Sequence, residues 1–193
     1  MFAFIGSQVL IRIPLLEYMQ VHSTTYLMVS ATQPLLFAIV IRLSAGVFEE
    51  LARFIMMHFF MKQRDWQSVF LFGVGHGGIE AVLFVGISAL TMVLSLTANV
   101  YNIDFFIGGI ERFFSILLHI GLSIIVLQGV IQRKFFYIVL AILIHGFVDA
   151  MVGVLPLFMS PNTALISIEV SVAIIALAVF SYSLSFQRRE VLQ

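Results

Sequence analysis

Polar and apolar positions fall along this chain in long blocks rather than in the short stripes of a soluble fold. Apolar runs fill roughly 2–20, 26–41, 68–97, 109–131, 135–155 and 164–186, and most of the charge lies between them. About 20 apolar residues wound as a helix cross about 30 Å of hydrocarbon, so these blocks predict membrane spans. Gln8, Arg12 and Glu17 interrupt the first block. It reads as a packed span or as an amphipathic helix lying in the interface, the span being preferred. His22-Ser23-Thr24-Thr25 is a polar break and a helix start. The short run 26–41 is expected to end in a turn over Arg42 to Gly46, and a further helix to run from about Val47 to Met61. Lys62 to Trp66 then forms a basic loop with an interfacial aromatic. The long run 68–97 is holed by Gly73, Gly75, Gly77, Gly78 and Gly86, and a bend or partial unwinding near Gly77-Gly78 is expected. Asn99 to Asp104 and the Pro-bounded segment Pro156 to Pro161 are expected loops. The fold class is therefore all-α: a polytopic transmembrane helical bundle of six or seven spans with a buried polar cavity.

Composition narrows this further. The chain is 61% hydrophobic and 10% charged, against about 25% charged in soluble domains, and its mean hydropathy is +1.10. It reads as a single integral membrane domain over 1–193, embedded in the lipid bilayer, with no room for a separate soluble module. Cysteine is absent, which excludes disulfides, thiolate zinc sites and a cysteine nucleophile. No basic patch is large enough for nucleic acid. Met1-Phe2-Ala3-Phe4 enters apolar sequence at once, without the positive region of a signal peptide, and suggests a truncated start.

Lys62/Arg64, Arg133/Lys134 and Arg188/Arg189 fall in alternate interruptions, while 99–108 and 156–163 carry no Lys or Arg. The positive-inside rule puts the basic segments and the C-terminus in the cytoplasm, and so the protein in the cytoplasmic membrane.

The exceptional stretch is Gly46-Val47-Phe48-Glu49-Glu50-Leu51-Ala52-Arg53. A charge at mid-bilayer costs about 2.5–3.5 kcal/mol even on the lenient insertion scale, so three within five residues need partners or a purpose. Counted inward from the cytoplasmic loops at 1.5 Å per residue, Glu49, Glu50, His76, Glu80, His119, His145 and Asp149 lie roughly 15–22 Å deep, on four helices. His76/Glu80, His145/Asp149 and Glu49/Arg53 are i,i+4 pairs, and Arg112, Ser115 and His119 fall at i, i+3 and i+7; each set shares a helix face. Gly75, Gly77 and Gly78 around His76 let another backbone or a substrate approach closely. Such a set has the parts for acid/base work on water. His22 and His58, near the loops, are read as interface or helix-packing residues. Glu111 and Arg112 read either as a structural ion pair or as part of the cluster. Zinc is one option for the three imidazoles His76, His119 and His145, although no His-Glu-x-x-His occurs. Neither Gly-x-Ser-x-Gly nor Gly-x-Gly-Asp occurs, against serine and presenilin-type aspartyl sites.

Glu49-Glu50-x-x-Arg53, Phe72-x-x-x-His76 and His145-x-x-x-Asp149, in that order, resemble the motifs of the CAAX-prenyl-endopeptidase (ABI) clan of intramembrane proteases. There the last motif usually ends in Asn; Asp149 is a PrsW-like variation. Gly75-His76-Gly77-Gly78-Ile79-Glu80 and Glu111-Arg112-x-x-Ser115-x-x-x-His119 resemble more narrowly the YhfC family of intramembrane metalloproteases. The resemblance covers about residues 45–150. It implies an endopeptidase acting on a membrane-anchored protein or peptide. In it Glu49 is the base that activates water, Glu50 supports it or shares its proton, and Arg53 holds Glu49. His76 orients water or binds a metal, His145 with Asp149 stabilises the oxyanion, and His119 is the further ligand if zinc is bound. The rival readings are a transporter or channel using the cluster as a proton or ion relay, a noncatalytic membrane scaffold, and, more remotely, a haem protein.

Overall fold

The computed structural model describes residues 1–95 and 103–191. Among them every regular element is helical. Helix α1 spans Phe2–His22, α2 Thr24–Thr32, and α3 begins as Pro34–Ile55 and continues as a π-helical turn over Met56–Phe60. Helix α4 spans Trp66–Leu94, α5 Ile103–Gln132, α6 Phe136–Val154 with a 3₁₀ turn over Leu155–Leu157, and α7 Pro161–Val191. Among the described residues five stretches are long and apolar enough to cross a membrane: Phe2–His22, Trp66–Leu94, Phe106–Gln132, Phe136–Leu157 and Pro161–Gln187. The protein is an all-α integral membrane protein.

The boundaries follow local chemistry. The Ser23 hydroxyl accepts the Tyr26 N–H at 3.2 Å and starts α2, as its polar break implied. Gln33 precedes a proline, which disfavours helical backbone there; its φ and ψ are −135° and 62°, and Pro34 starts α3 at its first turn. The expected break over Arg42 to Gly46 is therefore displaced upstream. Residues 42–46 are continuous helix, and Glu49 and Glu50 sit well inside α3 rather than at its start. The bend expected at Gly77-Gly78 is also displaced: α4 stays α-helical to Ala81 and widens to π winding over Val82–Gly86. A further π stretch, Ile5–Arg12, lies just upstream of Pro14. There the wider winding eases the clash a proline ring makes with the preceding turn. The segment 96–102, most of the expected Asn99–Asp104 loop, lies outside the described residues.

The helices form two compact units. One holds α1–α3, residues 125–132 of α5, α6 and α7 up to Ser171. The other holds Met1, α4, α5 up to Ile124, and α7 from Val172.

Glycines set the close contacts within each unit. In the first, a Cβ on Gly46 of α3 would lie 2.8 Å from the backbone nitrogen of Gly146 in α6. A Cβ on Gly146 would lie 3.1 Å from Leu43 Cα. In the second, a Cβ on Gly73 of α4 would lie 2.6 Å from Ile120 Cα, and one on Gly77 would lie 3.1 Å from Ile116 Cα. Gly73-x-x-x-Gly77 is thus the seam that brings α4 backbone-close to α5. Gly78, expected to admit another backbone or a substrate, has no backbone or side chain within 4 Å of its missing Cβ.

Candidate active site

In the first unit, Gly46 and Gly146 fix what their neighbours can reach. Glu50 follows Gly46 by one turn and His145 adjoins Gly146, so the close α3–α6 approach puts carboxylate against imidazole. His145 Nδ1 lies 2.7 Å from Glu50 Oε1. An ionised carboxylate only accepts, so this nitrogen carries the proton and donates it. The other oxygen of Glu50 accepts from Arg53 Nη1 at 3.0 Å, with both residues fully buried. His145 Nε2 faces Glu49 Oε2 and Asp149 Oδ2, each at 3.8 Å. The i,i+4 spacing puts Arg53 on the Glu49 face, and the fold makes an ion pair between Arg53 and Glu50, three residues away.

Glu49 is held from a direction that the motif spacing did not indicate. Gln8 of α1 donates its amide to Glu49 Oε1 at 2.7 Å and to the Ala45 carbonyl at 3.4 Å. The Gln8 carbonyl oxygen accepts from Arg12 Nη1 at 3.0 Å. Because Arg12 only donates, it fixes the flip of that amide and so turns its N–H groups to Glu49. Arg12 is itself fixed by Ser44 Oγ at 3.0 Å and the Ile41 carbonyl at 2.6 Å. In the sequence Gln8 and Arg12 stood out only as interruptions of an apolar run. Their i,i+4 spacing was the one available signal that they act together.

The second unit builds a parallel arrangement. A Cβ at Gly77 would press on His119 Cδ2 at 3.0 Å, so the bare glycine makes room for that ring. The His76 and His119 rings have centroids 5.1 Å apart, and both are buried. Their candidate ligand nitrogens lie within 4.8 Å of each other. His119 Nε2 lies 2.6 Å from Glu80 Oε2, and Arg112 Nη1 donates to the other Glu80 oxygen at 3.2 Å. Arg112 also pairs with Glu111, so it is both a structural ion pair and part of the cluster. The three imidazoles considered for zinc are thus divided: His76 and His119 belong to this unit, and His145, with its carboxylate partners, to the other. His22 and His58 stand apart from both clusters; each is exposed, His22 bonded to the Tyr18 carbonyl.

A family model described as YhfC intramembrane metalloprotease matches residues 1–104 and 91–176. The chain belongs to the YhfC family. It is 33% identical over 141 residues to an uncharacterized membrane protein YhfC of Bacillus subtilis, a match covering 58% of this chain and 55% of the relative. It thus spans about half the length of that curated relative. No solved structure matches it. The YhfC family description carries a metal, and the residues present fit one. Imidazoles are good ligands for zinc, and His76 and His119 offer two buried donors near one another.

Proposed function

We propose that this protein is an intramembrane endopeptidase that hydrolyses a peptide bond of a membrane-associated substrate. The observation that carries this is the setting of Glu49. One oxygen is held by an amide whose flip is fixed, and the other faces the Nε2 edge of His145. A carboxylate held in this way is oriented before reaction to take a proton from water.

In this reading Glu49 takes the proton of the attacking water. Glu50, neutralised by Arg53, holds His145 by its Nδ1–H and turns Nε2 toward the reacting groups. His145, when protonated, donates from Nε2 to the developing oxyanion, with Asp149 supporting its charge. His76 and His119 are the residues that would hold a zinc-type ion. When bound, such an ion supplies Lewis-acid polarisation of the substrate carbonyl and a more acidic water. The basic segments and the C-terminus lie in the cytoplasm, and the protein in the cytoplasmic membrane, by the distribution of Lys and Arg.

The test is cleavage of a fluorophore-tagged single-span peptide in proteoliposomes, with metal content measured alongside. Glu49→Gln and His145→Ala should each abolish cleavage while the protein still inserts. Stoichiometric zinc, lost in His76→Ala, supports the metal-dependent form. Retained cleavage in both of the first two variants would sink the site assignment.

One observation favours a second reading, a proton or ion relay. Arg12, Gln8 and Glu49 form a hydrogen-bonded chain, and Glu49 in turn lies 3.8 Å from His145, within one unit. It predicts gradient-dependent flux in liposomes that Gln8→Leu interrupts, with no peptide cleaved.

A further inference from the structure

Glu80 and Arg112 have no part in the hydrolysis just described, yet they are built into the second cluster with care. Glu80 lies one turn beyond His76 on α4 and reaches across to α5, where its Oε2 meets His119 Nε2 at 2.6 Å. Its other oxygen is taken by Arg112 at 3.2 Å, and Arg112 is anchored in turn by the adjacent Glu111. Both carboxylate oxygens are thus used, one on an imidazole and one on a guanidinium. The side chains of Glu80 and Arg112 are 16% and 19% exposed, while that of His119 is 2% exposed.

The geometry points to Glu80 as a positioning residue for a metal ion, with Arg112 holding Glu80 in place. An ionised carboxylate on Nε2 requires that nitrogen to carry the proton. The ring is thereby set in one tautomer, in which Nδ1 has the lone pair and is the nitrogen that ligates. Donation to a carboxylate also makes the imidazole a stronger donor to a cation, and partners of this kind characteristically change metal affinity by about 10–100-fold. Arg112 holds the other Glu80 oxygen and stops the carboxylate from turning into the metal position itself. This rests on the reading that His76 and His119 hold a metal.

The experiment uses the full chain in detergent, with Co²⁺ as a spectroscopic probe and Zn²⁺ affinity measured against a competing chelator. Wild type should bind one ion, and His119→Ala should lose it. Glu80→Leu should weaken Zn²⁺ binding by about 10–100-fold. Glu80→Gln, which keeps an acceptor of the same shape, should recover part of that loss and alter the Co²⁺ ligand-field bands. Arg112→Ala should weaken binding less than Glu80→Leu does, and Arg112→Lys less still. Thermal unfolding of the metal-free Glu80→Gln protein should match wild type, which a merely structural role would not predict alongside a changed spectrum. Wild-type affinity and spectrum in both Glu80 variants, in a protein where His119→Ala has lost its metal, would overturn the positioning role alone. A wild-type protein that binds neither ion would overturn the metal reading, and the positioning role with it.

Discussion

In one unit Glu50 divides its two oxygens between His145 and Arg53; in the other Glu80 divides its own between His119 and Arg112. The connectivity is the same and the setting is not. Glu50 and Arg53 are wholly buried on one helix, three residues apart, whereas Glu80 and Arg112 are partly exposed and come from two helices. The imidazoles are also held by opposite nitrogens: His145 by Nδ1, which presents Nε2, and His119 by Nε2, which presents Nδ1. A carboxylate flanked by an arginine is a general way to keep an imidazole in one tautomer inside a membrane. The nitrogen it takes decides which atom is left for chemistry, and the burial of the pair decides how much of the fold depends on it.

Removing one partner from each pair breaks this comparison most directly. Arg53→Ala leaves the Glu50 carboxylate buried, and should lower stability by about 3–5 kcal/mol, the usual effect of opening a buried ion pair. Arg112→Ala, at a pair that is only partly buried, should cost less than that. Thermal and denaturant unfolding in detergent distinguishes the two, and equal losses would remove the distinction by burial.

The helix seams come next. Gly73→Ala and Gly46→Ala each force a methyl onto a neighbouring backbone, and should cost about 1–3 kcal/mol through overpacking. Gly78→Ala, with open space around it, should be neutral or raise stability by up to about 1 kcal/mol through helix propensity. If Gly78→Ala proves as damaging as Gly73→Ala, the α4–α5 seam has been placed on the wrong face.

Gln8→Leu sharpens the comparison from the Glu49 side, where the Gln8 amide holds the carboxylate. Loss of a hydrogen bond to a charged group is worth about 1.5–3 kcal/mol, so catalysis through Glu49 should fall by about 10–100-fold. Gln8→Asn should fall less if its shorter amide still reaches. The readout is the turnover number for the tagged peptide, with its KM little changed.

The smallest effect lies at the start of α4, the helix that carries His76 and Glu80. The Ser68 backbone N–H and hydroxyl, at 2.8 and 2.9 Å, hold the exposed Asp65 carboxyl below its ordinary range. A depressed carboxyl contributes stability above its unfolded pKa, and that contribution fades as the pH falls through its folded value. Wild type should therefore lose a little stability on the acid side of pH 4, a loss absent from Asp65→Ala. At neutral pH that variant should be about 1 kcal/mol less stable, as for other lost N-caps.

The Glu-Glu-x-x-Arg, His-Gly-Gly-Ile-Glu and His-x-x-x-Asp strings were legible because i,i+4 spacing on a helix is a local property. So were the apolar blocks, since the thickness of hydrocarbon fixes the length of a span. The break at Gln33 was written in the sequence as a residue before proline, and was displaced only because the polar stretch Arg42 to Gly46 looked more like a turn. In that stretch Ser44 is held by α1, where Arg12 bonds its hydroxyl and the Ile41 carbonyl one turn before it. The pairing of Arg53 with Glu50 was not singled out by the spacing either. Three-residue and four-residue spacings share a face, and the rotamer that packing allows chooses between them.

The sequence alone determined that this is an all-helical membrane protein carrying a costly set of buried charges, because composition and helical periodicity suffice for both. It also supplied the residues that tie the chain to its family. Only the tertiary structure decided which carboxylate holds which imidazole, and by which nitrogen. That choice depends on which helices approach closely enough to touch, at Gly46 against Gly146 and at Gly73 and Gly77 against α5. It depends too on Gln8 and Arg12, 41 and 32 residues from the side chains they bond in α3. A spacing rule cannot see a partner at that distance along the chain, whereas a hydrogen bond made in a medium without water can hardly do without one.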